Sequence, residues 1–156
     1  MIDPDVRGVD PDSGDDLAQL ELLHRDARAA LVGQRGGDRW LVEHPEVTDW
    51  PGQIATSGVD VVVAHIDRVV VGYLVAILGD DSIVRIDQVW VEPEARENGF
   101  GDHLLALAIA RARELGAVAV EGQSLPGDRH TKNLYERAGI VARLITTYKL
   151  LGDSAT

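Results

Sequence analysis

Three runs dominated by valine and isoleucine lie almost back to back in the middle of the chain: Asp60–Ile66, Val69–Leu78 and Ile83–Val91. Branched side chains suit a pleated surface, so each run reads as a strand. Asp67-Arg68 and Gly79-Asp80-Asp81-Ser82 leave room only for tight turns, which forces the strands to fold back antiparallel. Pro93 stops the third. The period then changes. Leu104, Leu107, Ala108 and Leu115 share one face of a helix from Asp102 to Leu115, capped by Gly116, and Ala117–Glu121 reads as another strand. Upstream, Val6–Val9 reads as a first strand and Asp10-Pro11-Asp12-Ser13-Gly14 as a turn and helix N-cap. Leu17, Leu20, Leu23, Ala27 and Leu31 give an amphipathic helix from Asp15 to about Gly33, which Gly36-Gly37 ends. Residues 38–58 show no clean period and read as loop plus a short second helix. Lys132–Ala138 reads as a short helix ended by Gly139, and Ile140–Leu151 as a terminal strand or cramped hairpin. Antiparallel strands followed by strand–helix–strand make an α/β fold: a mixed, mostly antiparallel central sheet flanked by helices. One domain spanning residues 1–156 is expected at this length.

Composition removes several functions. There is no cysteine, so thiolate metal sites and a cysteine nucleophile are excluded. His24, His65, His103 and His130 lack ligand spacing, and no metal site is expected. A net charge of −11 lacks the basic footprint that nucleic acid requires. No run approaches the roughly 18 apolar residues of a membrane span. Met1-Ile2-Asp3-Pro4 does not look like a secretory signal, which makes the cytoplasm the simplest location. The acid is concentrated: residues 1–60 hold thirteen Asp and Glu against five Lys and Arg. That imbalance serves solubility, or it draws a cationic substrate to the N-terminal third.

Arg96-Glu97-Asn98-Gly99-Phe100-Gly101 lies between an apolar strand and an amphipathic helix. The first N–H groups of a helix have no internal partner, and the helix dipole adds positive charge there. Glycines let the backbone curl around an anion without a Cβ in the way. Two other phosphate motifs fail. A P-loop needs Gly-Lys-Ser/Thr, which is absent. A dinucleotide fingerprint needs a glycine where Leu104 stands.

The segment Val89-Trp90-Val91-Glu92-Pro93-Glu94-Ala95-Arg96-Glu97-Asn98-Gly99-Phe100-Gly101-Asp102 resembles the V-x-P-x-x-R-x-x-G-x-G signature of the GNAT superfamily of N-acetyltransferases. Asn133-Leu134-Tyr135-Glu136-Arg137-Ala138-Gly139-Ile140 is similar to its second signature. The resemblance implies a GNAT-like acyl-CoA N-acyltransferase fold, acetyl-CoA as co-substrate, and direct transfer to a primary amine on a small molecule or protein. Backbone groups of Val89 and Val91 are then expected on the acetyl carbonyl and pantetheine amides. Trp90 lies between them, its side chain alternating toward the core. The N–H groups of Glu97, Asn98, Gly99, Phe100, Gly101 and Asp102 are expected on the pyrophosphate, with Arg96 adding charge. Tyr135 is expected near the thioester sulfur, Asn133 and Lys132 (or Arg129) toward the cofactor, and Asp128 where the family often has asparagine.

Two carboxylates are candidate bases for the amine. Asp87 lies two residues before Val89, so a regular strand would put both on one face; its alternative is a surface ion pair with Arg85. Glu121 ends the next strand. Trp40, Glu43, His44 and Trp50 either line an acceptor pocket or simply cover the sheet. Seventeen residues follow Gly139, which implies a shortened acceptor wall or one completed by a second subunit. A terminal edge strand would also allow two copies to pair as a homodimer. Two rivals to acetyl transfer remain: a non-catalytic acyl-CoA sensor, and a transferase for a larger acyl-CoA.

Overall fold

The computed structural model describes residues 4–152. Five strands form one sheet in the order β1-β2-β3-β4-β5: β1 (Asp5–Gly8), β2 (Val59–Ile66), β3 (Val69–Leu78), β4 (Ile83–Val91) and β5 (Ala119–Gly122). The first three pairings are antiparallel; β4 and β5 are parallel. A parallel pair needs a crossover, and α4 (Phe100–Glu114) supplies it. This is the mixed, mostly antiparallel sheet expected from the strand pattern.

Helices cover both faces. α4 and α5 (Arg129–Arg137) lie on one, where Phe100, Leu104, Leu105 and Leu134 pack against Leu74, Val84, Ile86 and Val91. The other face holds α1 (Gly14–Leu31), α2 (Gly37–Glu43) and α3 (Trp50–Ala55), with Leu20, Leu23 and Trp50 packed against Val61, Val63, Tyr73 and Val75. Burial of each large apolar side chain contributes about 1.5–3 kcal/mol. The α1 start follows from its cap: Ser13 accepts from Asp16 N, with Asp15 and Asp16 in the first turn. No helix among the described residues is long and apolar enough to cross a membrane.

Three local expectations change. Residues 38–58 hold two short helices rather than one. α2 doubles back so closely on α1 that a Cβ on Gly37 would collide with the carbonyl oxygen of Leu31, which only glycine permits. α3 starts where Asp49 caps Gly52 N. α5 begins a turn earlier than Lys132, because the Asp128 carboxylate accepts from Thr131 N and so caps at residue 128.

The third change is the C-terminus. Gly139, at φ +81°, and Ile140 close α5 onto the carbonyls of Glu136 and Tyr135. Beyond them no strand or hairpin forms in the described residues. Leu144, Ile145 and Leu151 are 88, 83 and 86% exposed. Strand propensity supplies readiness and no partner. The contact this segment makes instead sets Tyr148 under the Arg39 guanidinium of α2, 4.5 Å from its ring centre. The free sheet edge on this side therefore belongs to β5, not to a terminal strand.

Candidate active site

The site forms where β5 stops. β5 pairs β4 only from Ile83 to Ile86. Glu92 N donates to Val71 O of β3 at 2.8 Å. Peptide groups alternate sides along a strand, so those of Val89 and Val91 turn the other way, toward the edge that β5 has vacated. Val91 O there accepts Arg96 Nε at 2.9 Å.

The loop that follows is built as an anion nest. Glu97 and Gly99 have φ of 66° and 82°. Asn98 Nδ2 donates to Ala95 O and Arg96 O and braces the turn. Gly99 caps α4 with no side-chain bond. Among the described residues, no partner claims the backbone N–H of Glu97, Asn98, Gly99, Phe100, Gly101 or Asp102. All six gather at the positive end of a fifteen-residue helix.

β4 carries a bulge opposite Val75/Ala76: Ile86 pairs with Ala76 and Gln88 with Val75, leaving Asp87 unpaired. Ile86 and Val89 consequently pack into the same core cluster though three residues apart, while Trp90 joins the opposite one. The regular alternation expected for Asp87 and Val89 fails. The bulge turns Asp87 toward Gln88, on the α1 side, and Gln88 Nε2 donates to Asp87 Oδ2 at 3.1 Å.

These pieces surround a cavity of about 340 Å³. Asp87, Val89, Trp90, Val91, Arg96, Asp128 and Tyr135 line it, as do Gln88, Trp40, Gln123, Ser124 and His130. Tyr135 is 6% exposed, and its hydroxyl forms no hydrogen bond among the described residues. Burial first, then the charges of Asp128 and Asp87, raise the Tyr135 pKa above the usual phenol value. Its ring lies over Gly122, where a Cβ would come 2.6 Å from Cζ. His44 Nδ1 donates to Trp40 O, the two rings stack at 4.1 Å, and His44 Nε2 stands 3.6 Å from Asp87 Oδ1. Arg28 ties α1 to this wall through the carbonyls of His44 and Leu41.

Several expected residues stand outside the cavity or have their side chains committed to other partners. Glu121 does not line the cavity; its Oε1 accepts Arg85 Nε at 2.8 Å and the side chain is 57% exposed. Arg85 also holds Asp81, so the ion pair considered between Arg85 and Asp87 is not formed. Lys132 and Asn133 lie on the exposed face of α5, with Lys132 Nζ 3.6 Å from Glu136. The Asp128 carboxylate is taken by Thr131 N and Oγ1. Arg96 packs its guanidinium over the Trp90 ring at 4.6 Å. Glu43 pairs with Arg39, and Trp50 is buried in the core. Among the described residues no cluster of three or more His, Cys, Asp and Glu could hold a metal. Gln88 and Gly122 were not anticipated. Their sequence signals are a lone amide inside an apolar strand and a glycine at a strand end.

Comparison with known proteins agrees with this geometry. A model of the acetyltransferase (GNAT) family matches residues 20–140. No curated protein matches the sequence. Among solved structures, AAC(6')-Iy in complex with the bisubstrate analogue CoA-S-monomethyl-acetylneamine superposes with TM-score 0.67 at 18% identity, covering 96% of this chain and 99% of the other. A ribosomal-protein-alanine N-acetyltransferase from Brucella melitensis biovar Abortus 2308 gives 0.68 at 16% identity, covering 96% and 99%. An aminoglycoside acetyltransferase from an uncultured soil metagenomic sample gives 0.68 at 15%, covering 96% and 97%. At these identities the likeness is one of fold.

Proposed function

The chain belongs to the acetyltransferase (GNAT) family, and on that premise we propose that it carries an acetyl group from acetyl-CoA directly to a primary amine seated at Asp87. One observation carries the reading. The vacated edge of β4 and the Asp87 carboxylate open into the same cavity, next to a loop whose six N–H groups are free.

The residues present suit this co-substrate. Six amide donors at a helix N-terminus match the charge of a pyrophosphate. An extended strand edge with outward peptide groups matches the amides of a pantetheine arm. When bound, acetyl-CoA supplies an activated thioester carbonyl and a thiolate leaving group. The Val89 N–H is held where it can donate to an oxygen gaining negative charge, an interaction whose loss typically costs 10²–10³ in rate. Tyr135 stays protonated across the neutral range and offers its hydroxyl to the leaving sulfur. With its pKa raised, the phenol acts by hydrogen bonding more than by full proton transfer. Asp87 accepts the proton that an ammonium must lose before it attacks.

A covalent enzyme intermediate has no support. The chain has no cysteine. Ser124, Asp128 and His130 all line the cavity, but no hydrogen bond among the described residues joins Ser124 to His130, and Asp128 is committed to Thr131.

Titration calorimetry with acetyl-CoA, followed by a CoA-release assay over a panel of amines, tests the reading. Binding with turnover on a cationic amine, lost in Asp87→Asn, is expected. Failure to bind at millimolar acetyl-CoA would overturn it. Binding without turnover on any amine would favour an acyl-CoA sensor, and turnover only with a larger thioester would change the donor.

A further inference from the structure

His24, Tyr73 and Gln88 are assigned no bond-making role above, yet they are polar groups buried together at 1, 1 and 8% exposure. Such burial is costly unless each group is paired. They pair in series. Val47 N donates to His24 Nε2 at 3.0 Å, and His24 Nδ1 lies 3.1 Å from Tyr73 Oη. Tyr73 Oη donates to Gln88 Oε1 at 2.9 Å, and Gln88 Nε2 donates to Asp87 Oδ2 at 3.1 Å.

One arrangement of protons satisfies every link. A peptide N–H can only donate, so His24 Nε2 must accept and the ring is neutral with its proton on Nδ1. Tyr73 oxygen then accepts from Nδ1 and passes its own proton to Gln88 Oε1. That turns the amide nitrogen toward Asp87. A reversed amide would set an oxygen against the carboxylate and leave the phenol proton without an acceptor. Burial, ahead of the Arg28 charge, lowers the His24 pKa, and burial raises that of Tyr73, so both links stay neutral.

We propose that this directed chain is a brace that fixes the Asp87 carboxylate, with Gln88, Tyr73 and His24 as positioning residues for the proton-accepting step. The proposal rests on Asp87 being the group that receives the amine's proton. Every donor points toward Asp87. Oδ2 is thereby taken by Gln88, and Oδ1, the oxygen facing His44, is left for the amine. No link can accept a proton from Asp87, so that proton leaves through the cavity and not through the core. The bulge at Asp87 now has a purpose: consecutive strand residues normally face opposite ways, and only the extra residue lets Gln88 reach its neighbour. The brace begins at Val47, between α2 and α3, so the wall built by residues 38–58 is coupled to the base.

Steady-state kinetics on Tyr73→Phe and Asp87→Asn, singly and together, test this. Tyr73→Phe should lower kcat about ten-fold while acetyl-CoA affinity, by calorimetry, stays within about two-fold. In the Asp87→Asn background the same change should cost less than about two-fold. At position 24, asparagine keeps a donor where Nδ1 stood, and glutamine keeps an acceptor where Nε2 stood. A brace therefore ranks His24→Asn above His24→Gln in kcat, whereas a mere anchor for the Val47 loop ranks them the other way. If Tyr73→Phe does not fold, Gln88→Met replaces it in the same cycle. An undiminished kcat in Tyr73→Phe, an equal loss in both backgrounds, or glutamine outperforming asparagine would overturn the brace. A fully active Asp87→Asn would instead overturn the assignment of Asp87 on which it stands.

Discussion

Gly122 is the residue whose replacement best separates position from presence in this site. A Cβ added there would meet Tyr135 Cζ at 2.6 Å, Oη at 2.8 Å and Cε1 at 3.0 Å. Ordinary contact begins at 3.4 Å, so the ring must move by about 0.8 Å, or β5 must yield by as much. The ring has little freedom, because Tyr135 packs into the cluster formed by Leu134, Ile86 and Leu104. Overpacking of this kind costs about 1–3 kcal/mol of stability. A displacement approaching 1 Å costs on the order of 10² in rate, or about 2.7 kcal/mol in the barrier. Gly122→Ala should therefore fold with a lowered melting temperature and lose about 10² in kcat. Acetyl-CoA affinity should change little, since the six free N–H groups lie outside the displaced region. The decisive comparison is the double variant. Tyr135→Phe keeps the clash and removes the hydroxyl, so Gly122→Ala should cost almost nothing further in kcat in that background. Undiminished turnover in Gly122→Ala, or an equal loss with phenylalanine at 135, would refute the placement of the Tyr135 hydroxyl at the reacting sulfur.

Tyr135→Phe by itself should lower kcat by about 10² while the calorimetric affinity for acetyl-CoA holds. Gly99→Ala forces a side chain into φ +82° at a strain of about 1–2 kcal/mol. Acetyl-CoA binding should weaken about five- to ten-fold in titration calorimetry with kcat largely retained at saturation. Folding stability should fall as pH drops below about 6.5. His24 and His130, whose pKa values burial lowers, protonate more readily when unfolded, so the stability they leave intact above that pH is lost as it falls toward their folded values. Denaturant midpoints between pH 5 and 8 should show this slope reduced, not abolished, in His24→Asn, because His130 still titrates; an unchanged slope would mean that His24 is not held neutral.

What could be read from the sequence and what could not follow a physical division. The meander from Val59 to Val91 was legible because tight turns and branched side chains allow one outcome. The turn at Arg96–Gly101 was legible because glycine spacing reports backbone shape directly. Asp87 lines the cavity, but not by the geometry expected of it. A period of two set it on the face of Val89, whereas an unpaired residue in β4 sends the two to opposite faces. A bulge changes no residue type, so nothing in the chain announces it. Lys132 and Asn133 lie outside the cavity lining because a motif gives a helix, not the side of that helix turned to the cavity. The C-terminal segment failed because strand-forming residues do not specify whether an edge will be there to receive them.

The same division accounts for how the two halves of the site are made. On the proposed function, the half facing the co-substrate consists of peptide groups along β4 and the first turn of α4, so its chemistry would survive wide changes of side chain. Fold likeness persists at 13–20% identity among the structural relatives. The half facing the amine consists of side chains drawn from separate elements: Trp40 from α2, His44 just after it, and Asp87 from the bulge. None of these is adjacent in sequence: the His44 carbonyl is held by Arg28 of α1, Asp87 by its neighbour Gln88, and the segment between α2 and α3 by the bond from Val47 to His24 of α1. On the proposed function, acceptor choice would be a property of α1 and residues 38–58 acting on one carboxylate. Exchanging residues 38–49 for another acetyltransferase's loop should move amine preference and leave acetyl-CoA affinity where it was; if the affinity moved and the preference did not, the division between the two halves would be wrong.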